Sequence, residues 1–203
     1  MSNSGKKNES YGNPTNNEEG YNILVDMNQH HKPMADWAFQ HIEINSNDIV
    51  LEVGCGGGAN IKRIATIAKL VTGIDISEMS IKVSKEVNEE LIKNNRVKVF
   101  QTSVEDYKAP DASYSLVTAF STIYFWKDRK KAFSNIFDSL KRNGFFKIIM
   151  SGIETMSKWT SVPGLKLVDQ YELLKELVEA GFNEVKITRN PNENWLVVSA
   201  HKI

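Results

Sequence analysis

Residues 50–60 read Val50-Leu51-Glu52-Val53-Gly54-Cys55-Gly56-Gly57-Gly58-Ala59-Asn60, where an apolar run leads directly into a cluster of glycines. The run predicts a buried strand over 49–53, and Ile61, Ile64 and Ala65 follow at helical spacing. Glycines in a strand-to-helix turn permit positive φ angles and let a ligand approach the backbone closely. The first N–H groups of the helix are free to bind polar or anionic ligand atoms. Taken alone, the stretch has one alternative, a tight turn with a purely structural role.

The rest of the chain alternates between strand and helix patterns. Six further strands are predicted, over residues 70–76, 96–101, 114–120, 145–150, 183–188 and 194–200. Further helices are predicted from Pro33 to about 42, from Ser77 to about 92, over 128–142 with Gly144 in the left-handed position beyond its end, and from Asp169 to about 180. Such alternation predicts a parallel sheet with helices on both faces, and the last two strands read as a hairpin. We therefore expect an α/β, Rossmann-like, doubly wound sheet of seven strands, mostly parallel with a C-terminal antiparallel hairpin.

Size and composition indicate one globular domain. The chain has 203 residues, of which 41% are apolar and 25% charged. Its 25 basic residues balance its 25 acidic ones, so it lacks the basic excess of a dedicated nucleic-acid binder. No apolar run approaches the roughly 20 residues that span a bilayer. We expect neither a nucleic-acid nor a membrane partner, and the composition gives no indication of the oligomeric state.

The N-terminal residues differ from the rest in composition. Residues 1–20 are polar and nearly free of aliphatic side chains, so they bury too little apolar surface to offset the entropy of ordering. We expect a disordered tail over 1–20 and a single domain over 21–203. The start of the chain does not resemble a secretory signal. The single cysteine, Cys55, excludes an internal disulfide, supports no metal site and fits a reducing compartment, so a cytoplasmic location is expected.

A second signal, Gly73-Ile74-Asp75-Ile76-Ser77, ends the next predicted strand. An acidic residue at about this distance beyond the glycines can accept hydrogen bonds from both ribose hydroxyls of an adenosine, and Ile76 would then lie against the adenine. A capping or turn role is the alternative for Asp75 alone. Combined with the glycine turn, Asp75 favours a nucleoside-containing ligand.

Two cofactors fit these two signals. Gly54, Gly56 and Ala59 satisfy the nicotinamide fingerprint G-x-G-x-x-G/A, which keeps an NAD-dependent oxidoreductase as an alternative. Glu52 weighs against it, because a carboxylate at the strand end would oppose a pyrophosphate but suit an ammonium group. Gly58 extends the pattern to G-x-G-x-G, which matches a compact amino-acid tail better. S-adenosylmethionine carries such a tail, a ribose and an adenine.

These residues resemble the class I S-adenosylmethionine-dependent methyltransferases, and specifically the methyltransferase type 11 domain. Glu52-x-Gly54-x-Gly56-x-Gly58 is similar to the first motif of the family, and Asp75 to the acidic residue of the second. The other matching stretches, from about Met27 to the C-terminus, are Met27–His31, Thr102–Asp106, Tyr114–Val117, Thr118–Trp126 and Leu140–Gly144. The chain departs from the family pattern at Ser103, Ser115 and Arg142-Asn143. A protein that binds the cofactor but transfers little methyl is therefore a further alternative.

The resemblance implies S-adenosylmethionine as cofactor, with S-adenosylhomocysteine as product, and assigns roles to the matched residues. Glu52, Gly54 and Gly56 would hold the methionine end, Asp75 the ribose, and Ile76 the adenine. Val104 and Glu105 would contact the base, and Ala119 and Phe120 would lie near the methionine amine or the sulfonium. The full expected set of cofactor-binding residues is Glu52, Gly54, Gly56, Gly58, Asp75, Ile76, Ser103, Val104, Glu105, Ala119 and Phe120.

Methyl transfer by in-line displacement needs mainly alignment and desolvation, so no single catalytic residue is required. A general base helps only where the acceptor has a proton to lose. The catalytic residue is unknown; the candidates are His31, as a base near neutral pH, and Tyr124, in an aromatic wall that favours a cationic methyl centre. The alternative for the two histidines is exposure on a lid segment. The alternative for the aromatic residues, especially Phe125, is burial in the core. Other candidate pocket residues are His30, Thr122 and Trp126.

The acceptor is expected to be a small molecule, since a neutral domain of this length has few added elements to grip a macromolecule. Two segments are candidates for closing over it, residues 21–36 and residues 151–168. The second follows the fifth strand on the ligand side and lacks clear periodicity.

Overall fold

Seven strands form one sheet, as the alternating pattern predicts. The computed structural model describes residues 11–159 and 161–203. Its strands are β1 (Ile49–Val53), β2 (Leu70–Asp75), β3 (Val97–Gln101), β4 (Tyr114–Phe120), β5 (Leu140–Ser151), β6 (Asn183–Arg189) and β7 (Trp195–Lys202). They lie in the order β3-β2-β1-β4-β5-β7-β6. The first five are parallel, and β7 runs antiparallel to both β5 and β6, which confirms the Rossmann-like sheet with a C-terminal hairpin.

Helices cover both faces of this sheet. They are α1 (Glu18–His30), α2 (Lys32–Ala38), α3 (Ala59–Ala65), α4 (Glu78–Val87), α5 (Glu89–Lys93), α6 (Arg129–Ser139), α7 (Ile153–Met156) and α8 (Gln170–Glu179). Leu51 and Val53 pack in the cluster that includes residues of α6 and α8, whereas Val50 packs in the cluster that includes residues of α2 and α3. Within the described residues, no helix has the length and apolar content that crossing a membrane requires.

The strand order reverses between β1 and β4. The chain runs outward from β1 through β2 to β3, then returns to place β4 on the opposite side of β1. The loops that leave the carboxyl ends of β1 and β4 therefore diverge and open a crevice, the usual ligand position in sheets of this kind. The glycine turn follows β1 at this point.

The N-terminal segment is more ordered than its composition predicts. Helix α1 begins at Glu18 and is capped by the Asn17 side chain, which accepts a hydrogen bond from Gly20 N at 2.9 Å. Leu24 is fully buried against Met79 and Val83 of α4. One cap and a few buried side chains suffice because the helix packs on α4. The predicted tail overlaps α1 at residues 18–20, residues 1–10 lie outside the described residues, and disorder of the tail stays a prediction.

The connection between α6 and β5 corrects a second prediction. The helix ends at Ser139, and β5 begins directly at Leu140, so Gly144 lies within a strand and not beyond a helix end. The left-handed residue is Asn143, with φ 63°. Gly144 is needed for another reason, because a Cβ there would lie 2.8 Å from the carbonyl oxygen of Lys141. The predicted helix from Ser77 to about 92 is also divided, at Asn88, into α4 and α5.

Candidate functional site

The glycine turn folds tightly around the end of β1. Gly54 N and Cys55 N both donate to Ile74 O, at 2.8 and 3.0 Å. Gly54 has φ 67°, and a Cβ there would come within 2.6 Å of Thr122 Cβ. Gly56 has φ 49°, and its Cβ direction is open, with the nearest atom on Leu24 at 3.9 Å. The turn therefore packs against its own protein at Gly54 and leaves space for a ligand at Gly56.

Two asparagine amides hold the turn from outside. Asn28 of α1 donates from Nδ2 to Gly57 O at 3.0 Å, and Asn88 donates from Nδ2 to Gly58 O at 3.0 Å. Neither residue is among the predicted site residues. Asn28 lies in the motif Met27–His31, which was the available signal, whereas nothing in the sequence distinguishes Asn88. Gly58 caps α3 and has φ 78°.

Asp75 connects the glycine turn to the start of α4. Its Oδ2 accepts from Gly56 N and its Oδ1 from Ser77 N, both at 2.9 Å. The side chain is buried, and this burial raises the pKa of Asp75, although the backbone N–H bonds act in the opposite direction. The Ser80 side chain and the backbone of Ile76 also hydrogen-bond to this carboxyl group. A carboxylate has about four acceptor positions, so ribose hydroxyls would share the group with these weaker protein contacts.

A cavity of about 470 Å³, here called the main cavity, opens beside Asp75 at the carboxyl ends of β1, β2 and β3. Its volume lies in the range of roughly 300–1,000 Å³ that small-molecule sites occupy. The exposed side chain of Ile76 forms part of its wall. The predicted site residues that line it are Gly54, Asp75, Ile76, Ser103, Val104 and Glu105.

Two of these residues use their side chains to shape the loop. Ser103 Oγ donates to Asp106 Oδ2 at 2.9 Å and also accepts from Asp106 N at 3.1 Å. Glu105 Oε1 accepts from Lys127 N at 2.8 Å and from Asp128 N at 3.2 Å. Both side chains thus form hydrogen bonds within the protein. An adenine at this loop would therefore contact chiefly the backbone and Val104.

Glu52 faces a separate space of about 50 Å³, here called the side chamber. The carboxyl group is fully buried and hydrogen-bonds to Thr118 Oγ1. Burial raises the pKa of Glu52 to about 8, although the Thr118 hydrogen bond acts in the opposite direction. The side chamber shares Gly54 with the main cavity, and its lining also includes Asn28, His31, Gly56, Arg63 and Phe120. Ala119 is fully buried, and neither it nor Gly58 lines the main cavity or the side chamber.

The two neighbouring aromatic residues after β4 have exchanged roles relative to the prediction. Tyr124 is buried in the core, where its hydroxyl accepts from Ser151 N at 2.7 Å and its ring contacts Trp159 edge-on at 6.1 Å. Phe125 is half-buried and lines the main cavity. The reason is a 3₁₀ turn over Ile123–Phe125, which directs Tyr124 towards the sheet. Tyr124 is therefore corrected from catalytic candidate to core residue, and Trp126 borders the main cavity with only its edge exposed.

We expect the Tyr124→Phe variant to lose about 1–2 kcal/mol of unfolding free energy, because Ser151 N–H would be left buried without an acceptor. Ligand affinity should stay within about twofold of the wild type, since the ring keeps its packing. Urea denaturation and calorimetric titration measure the two quantities. A large loss of affinity at unchanged stability would contradict the core role.

The two predicted lid segments have different positions. Asn28, His31 and Lys32 of the first segment line the side chamber. His31 is exposed, and partial desolvation, together with neighbouring His30, lowers its pKa. His30 lines neither the main cavity nor the side chamber and contacts Asp26 O through Nδ1 at 2.8 Å.

In the second segment, described residues of 151–168 line neither the main cavity nor the side chamber. Lys166 Nζ instead donates to Trp126 O and Lys127 O, both at 3.0 Å, and so supports the cavity wall from behind. In this structure the described part of this segment covers neither space, and its closure over a ligand stays a prediction.

A family model, curated relatives and solved structures that match this chain all include methyltransferases. Residues 51–148 match the family model of the methyltransferase domain. An uncharacterized methyltransferase of Bacillus subtilis, YdaC, is 26% identical over 170 residues, which cover 83% of this chain and 87% of that protein. A probable S-adenosylmethionine-dependent methyltransferase of Mycobacterium tuberculosis is 26% identical over 140 residues. The match covers 67% of this chain and 49% of that protein. The fold matches that of geranyl diphosphate C-methyltransferase from Streptomyces coelicolor, solved with S-adenosyl-L-homocysteine, with a TM-score of 0.76 at 12% identity, covering 93% of this chain and 85% of that one.

Proposed function

Because the chain belongs, through residues 51–148, to the class I S-adenosylmethionine-dependent methyltransferases, we propose that it transfers the methyl group of this cofactor to a small-molecule acceptor. The observation that carries the proposal is the carboxyl group of Asp75, buried at the end of β2 and bonded to the glycine turn. It borders a cavity of cofactor size at the position where strand order reverses.

The residues around the main cavity fit the parts of the cofactor. Asp75 has acceptor positions for the ribose hydroxyls, and Ile76 and Val104 offer apolar surface to the adenine. Ser103 and Glu105 hold the loop that borders the base. Glu52, Gly54, Gly56 and Phe120 surround the space for the methionine end, while Gly58 and Ala119 act through the turn and the strand that carry them.

When bound, S-adenosylmethionine supplies a methyl group on a sulfonium whose departure needs no protonation. The chain then has to align the acceptor and exclude water. Phe125 presents its ring to the main cavity, where a cationic centre is stabilised by an aromatic face. His31 borders the side chamber, and its lowered pKa keeps the imidazole neutral near pH 7, so it can accept a proton from an acceptor that has one to lose.

Enclosure of the space next to Phe120 supports a small acceptor. The side chamber of about 50 Å³, bordered by residues of α1 and α2, would be filled by the methionine end of the cofactor, so the acceptor would have to lie beside it. A third space of about 40 Å³ lies between Phe120 and Phe125, with Tyr11, Leu24 and Met27 on its N-terminal side. Neither is an open groove of the kind that grips a polymer, and the chain carries no basic excess for a nucleic acid.

One observation weighs against the first alternative function, and another favours the second. For an NAD-dependent oxidoreductase, the buried Glu52 supplies no positive charge to a pyrophosphate, and a bound pyrophosphate would oppose its ionisation. A cofactor-binding protein with little transfer activity is favoured by Ser103, whose hydroxyl bonds to Asp106 and not to the cavity.

Calorimetric titration of the purified protein with S-adenosylmethionine, S-adenosylhomocysteine and NADH tests the proposal. We expect the two sulfur compounds to bind with micromolar dissociation constants, on the order of −8 kcal/mol, and NADH to show no heat. Incubation with labelled S-adenosylmethionine and a panel of small acceptors then measures transfer. Binding of NADH alone would contradict the methyltransferase proposal, and binding without transfer to any small acceptor would favour a macromolecular acceptor or an inactive binding protein.

A further inference from the structure

Glu52 is a buried acid without a cation to neutralise it. In the described part of the chain it makes no ion pair. Of the basic residues that line the side chamber, Lys32 and Arg63 are bound to Asp36 at 2.6 and 2.9 Å, and His31 is exposed. Its other titratable neighbours, Cys55 in the turn and Asp75 at the end of β2, are acids and add no positive charge. A carboxyl group removed from water in such surroundings is more stable uncharged.

We propose that Glu52 is neutral in the free protein and exchanges its proton for an ammonium group, so that entry of the amino-acid end of the cofactor releases a proton to solvent. The ligand chemistry is that of a primary ammonium next to a buried carboxyl group. This inference rests on the proposed function, because S-adenosylmethionine and S-adenosylhomocysteine are the ligands that bring the ammonium group.

Thr118 is the positioning residue of this exchange. It lies on β4 directly opposite Glu52 in the parallel register, is fully buried, and bonds to Glu52 through Oγ1. A hydroxyl can serve both protonation states, because it accepts from the neutral acid and donates to the carboxylate. Its β-branched side chain is stiff at χ1, which fixes the direction in which the carboxyl group points.

The affinity for the ligand is expected to depend on pH because binding changes the pKa of Glu52. The pKa of Glu52 is raised to about 8 in the free protein, and a bound ammonium lowers it. Because pH 7 lies below this raised pKa, most of the free protein is protonated at Glu52, and binding releases most of one proton. Between pH 5.5 and 7, where an α-amino group stays protonated, the dissociation constant should fall by up to about tenfold per pH unit as pH rises.

Calorimetry in two buffers of different ionisation enthalpy measures the proton release directly. The ligands are S-adenosylhomocysteine and 5′-methylthioadenosine, which shares the ribose and adenine but lacks the amino-acid tail. We expect most of one proton to be released at pH 7 for the first and none for the second. Any change in the protonation of Asp75 contributes to both ligands, so the difference between them isolates Glu52.

Three variants complete the test. Glu52→Gln should abolish the proton release and weaken S-adenosylhomocysteine about tenfold, with 5′-methylthioadenosine unaffected. Thr118→Val should move the pH profile of S-adenosylhomocysteine upward, because the hydroxyl that stabilises the carboxylate is gone, whereas Thr118→Ser should retain the wild-type profile. Wild-type binding of S-adenosylhomocysteine without proton release, or a Thr118→Val profile identical to the wild type, would overturn the inference while leaving the proposed function intact. Failure of both ligands to bind the wild type would overturn the proposed function, and the inference with it.

Discussion

Replacing Asp75 with asparagine is expected to weaken S-adenosylhomocysteine binding by about 100-fold or more. The carboxyl group accepts from Gly56 N and Ser77 N and, in the proposed complex, from both ribose hydroxyls. An amide has one oxygen, so its NH₂ group would face donors where an acceptor is required. Two lost hydrogen bonds to a charged acceptor, at about 1.5–3 kcal/mol each, give about 3–6 kcal/mol, which exceeds the 2.8 kcal/mol or so of a 100-fold loss.

Calorimetric titration of the Asp75→Asn variant measures this loss, and 5′-methylthioadenosine should lose affinity to the same extent because it carries the same ribose. This shared loss distinguishes Asp75 from Glu52, whose replacement should affect only the ligand with a tail. Asp138→Asn is the matched control, since Asp138 is an exposed carboxylate on α6. A change below about threefold, with the thermal midpoint preserved, would contradict the ribose role.

The second large effect is expected for Gly54→Ala, which should lose measurable cofactor binding and about 3 kcal/mol or more of unfolding free energy. A left-handed backbone costs an L-residue about 1–2 kcal/mol. The rest arises because the new Cβ would overlap Thr122, which must move together with the wall that it belongs to. Thr122 and Gly54 both line the main cavity, so the displacement changes the binding surface directly.

Gly164→Ala separates the two causes of this loss. Gly164 has φ 75°, close to the 67° of Gly54, but no atom lies within 4 Å of its Cβ position. The control variant should therefore lose only about 1–2 kcal/mol and keep its ligand affinity. Urea denaturation and titration with S-adenosylhomocysteine measure both variants. Equal behaviour of the two would show that backbone strain, and not the contact with Thr122, accounts for the effect.

The central half of the fold could be predicted because its signals are local. The strand 49–53 and the glycine turn are adjacent in sequence, and the hydrophobic runs of the other strands are short and bounded by turn residues. Ser115, which departs from the family pattern, proves structural, since its hydroxyl bonds to Ile49 N at 3.1 Å and so joins β4 to β1. The cofactor-binding roles of Asp75 and its neighbours remain predictions that the experiments above address.

The features that the sequence analysis missed depend on contacts between distant segments. Helix α1 lies next to a polar N-terminal stretch, and its packing on α4 is what makes Leu24 a core residue. The strand β5 starts without a turn after α6, and its first residue, Leu140, pairs with Tyr114, which lies far earlier in the chain. The direction of Tyr124 depends on a 3₁₀ turn next to Ser121, which has φ 52°. No sequence pattern predicts that a given non-glycine residue adopts such a conformation.

The distribution of the cavity-lining residues has a consequence for acceptor selectivity. The main cavity, the side chamber and the third space are lined by no described residue beyond Lys131, and their N-terminal walls come from residues 11–32. That N-terminal stretch precedes the part that matches the family model, 51–148. The proposed cofactor residues after β1 and β2 and the surface next to Phe120 are therefore contributed largely by different parts of the chain. Under the proposed function, substitutions among residues 11–32 that keep the Asn28 hydrogen bond to the glycine turn can change acceptor selectivity while Asp75 and the glycine turn stay the same.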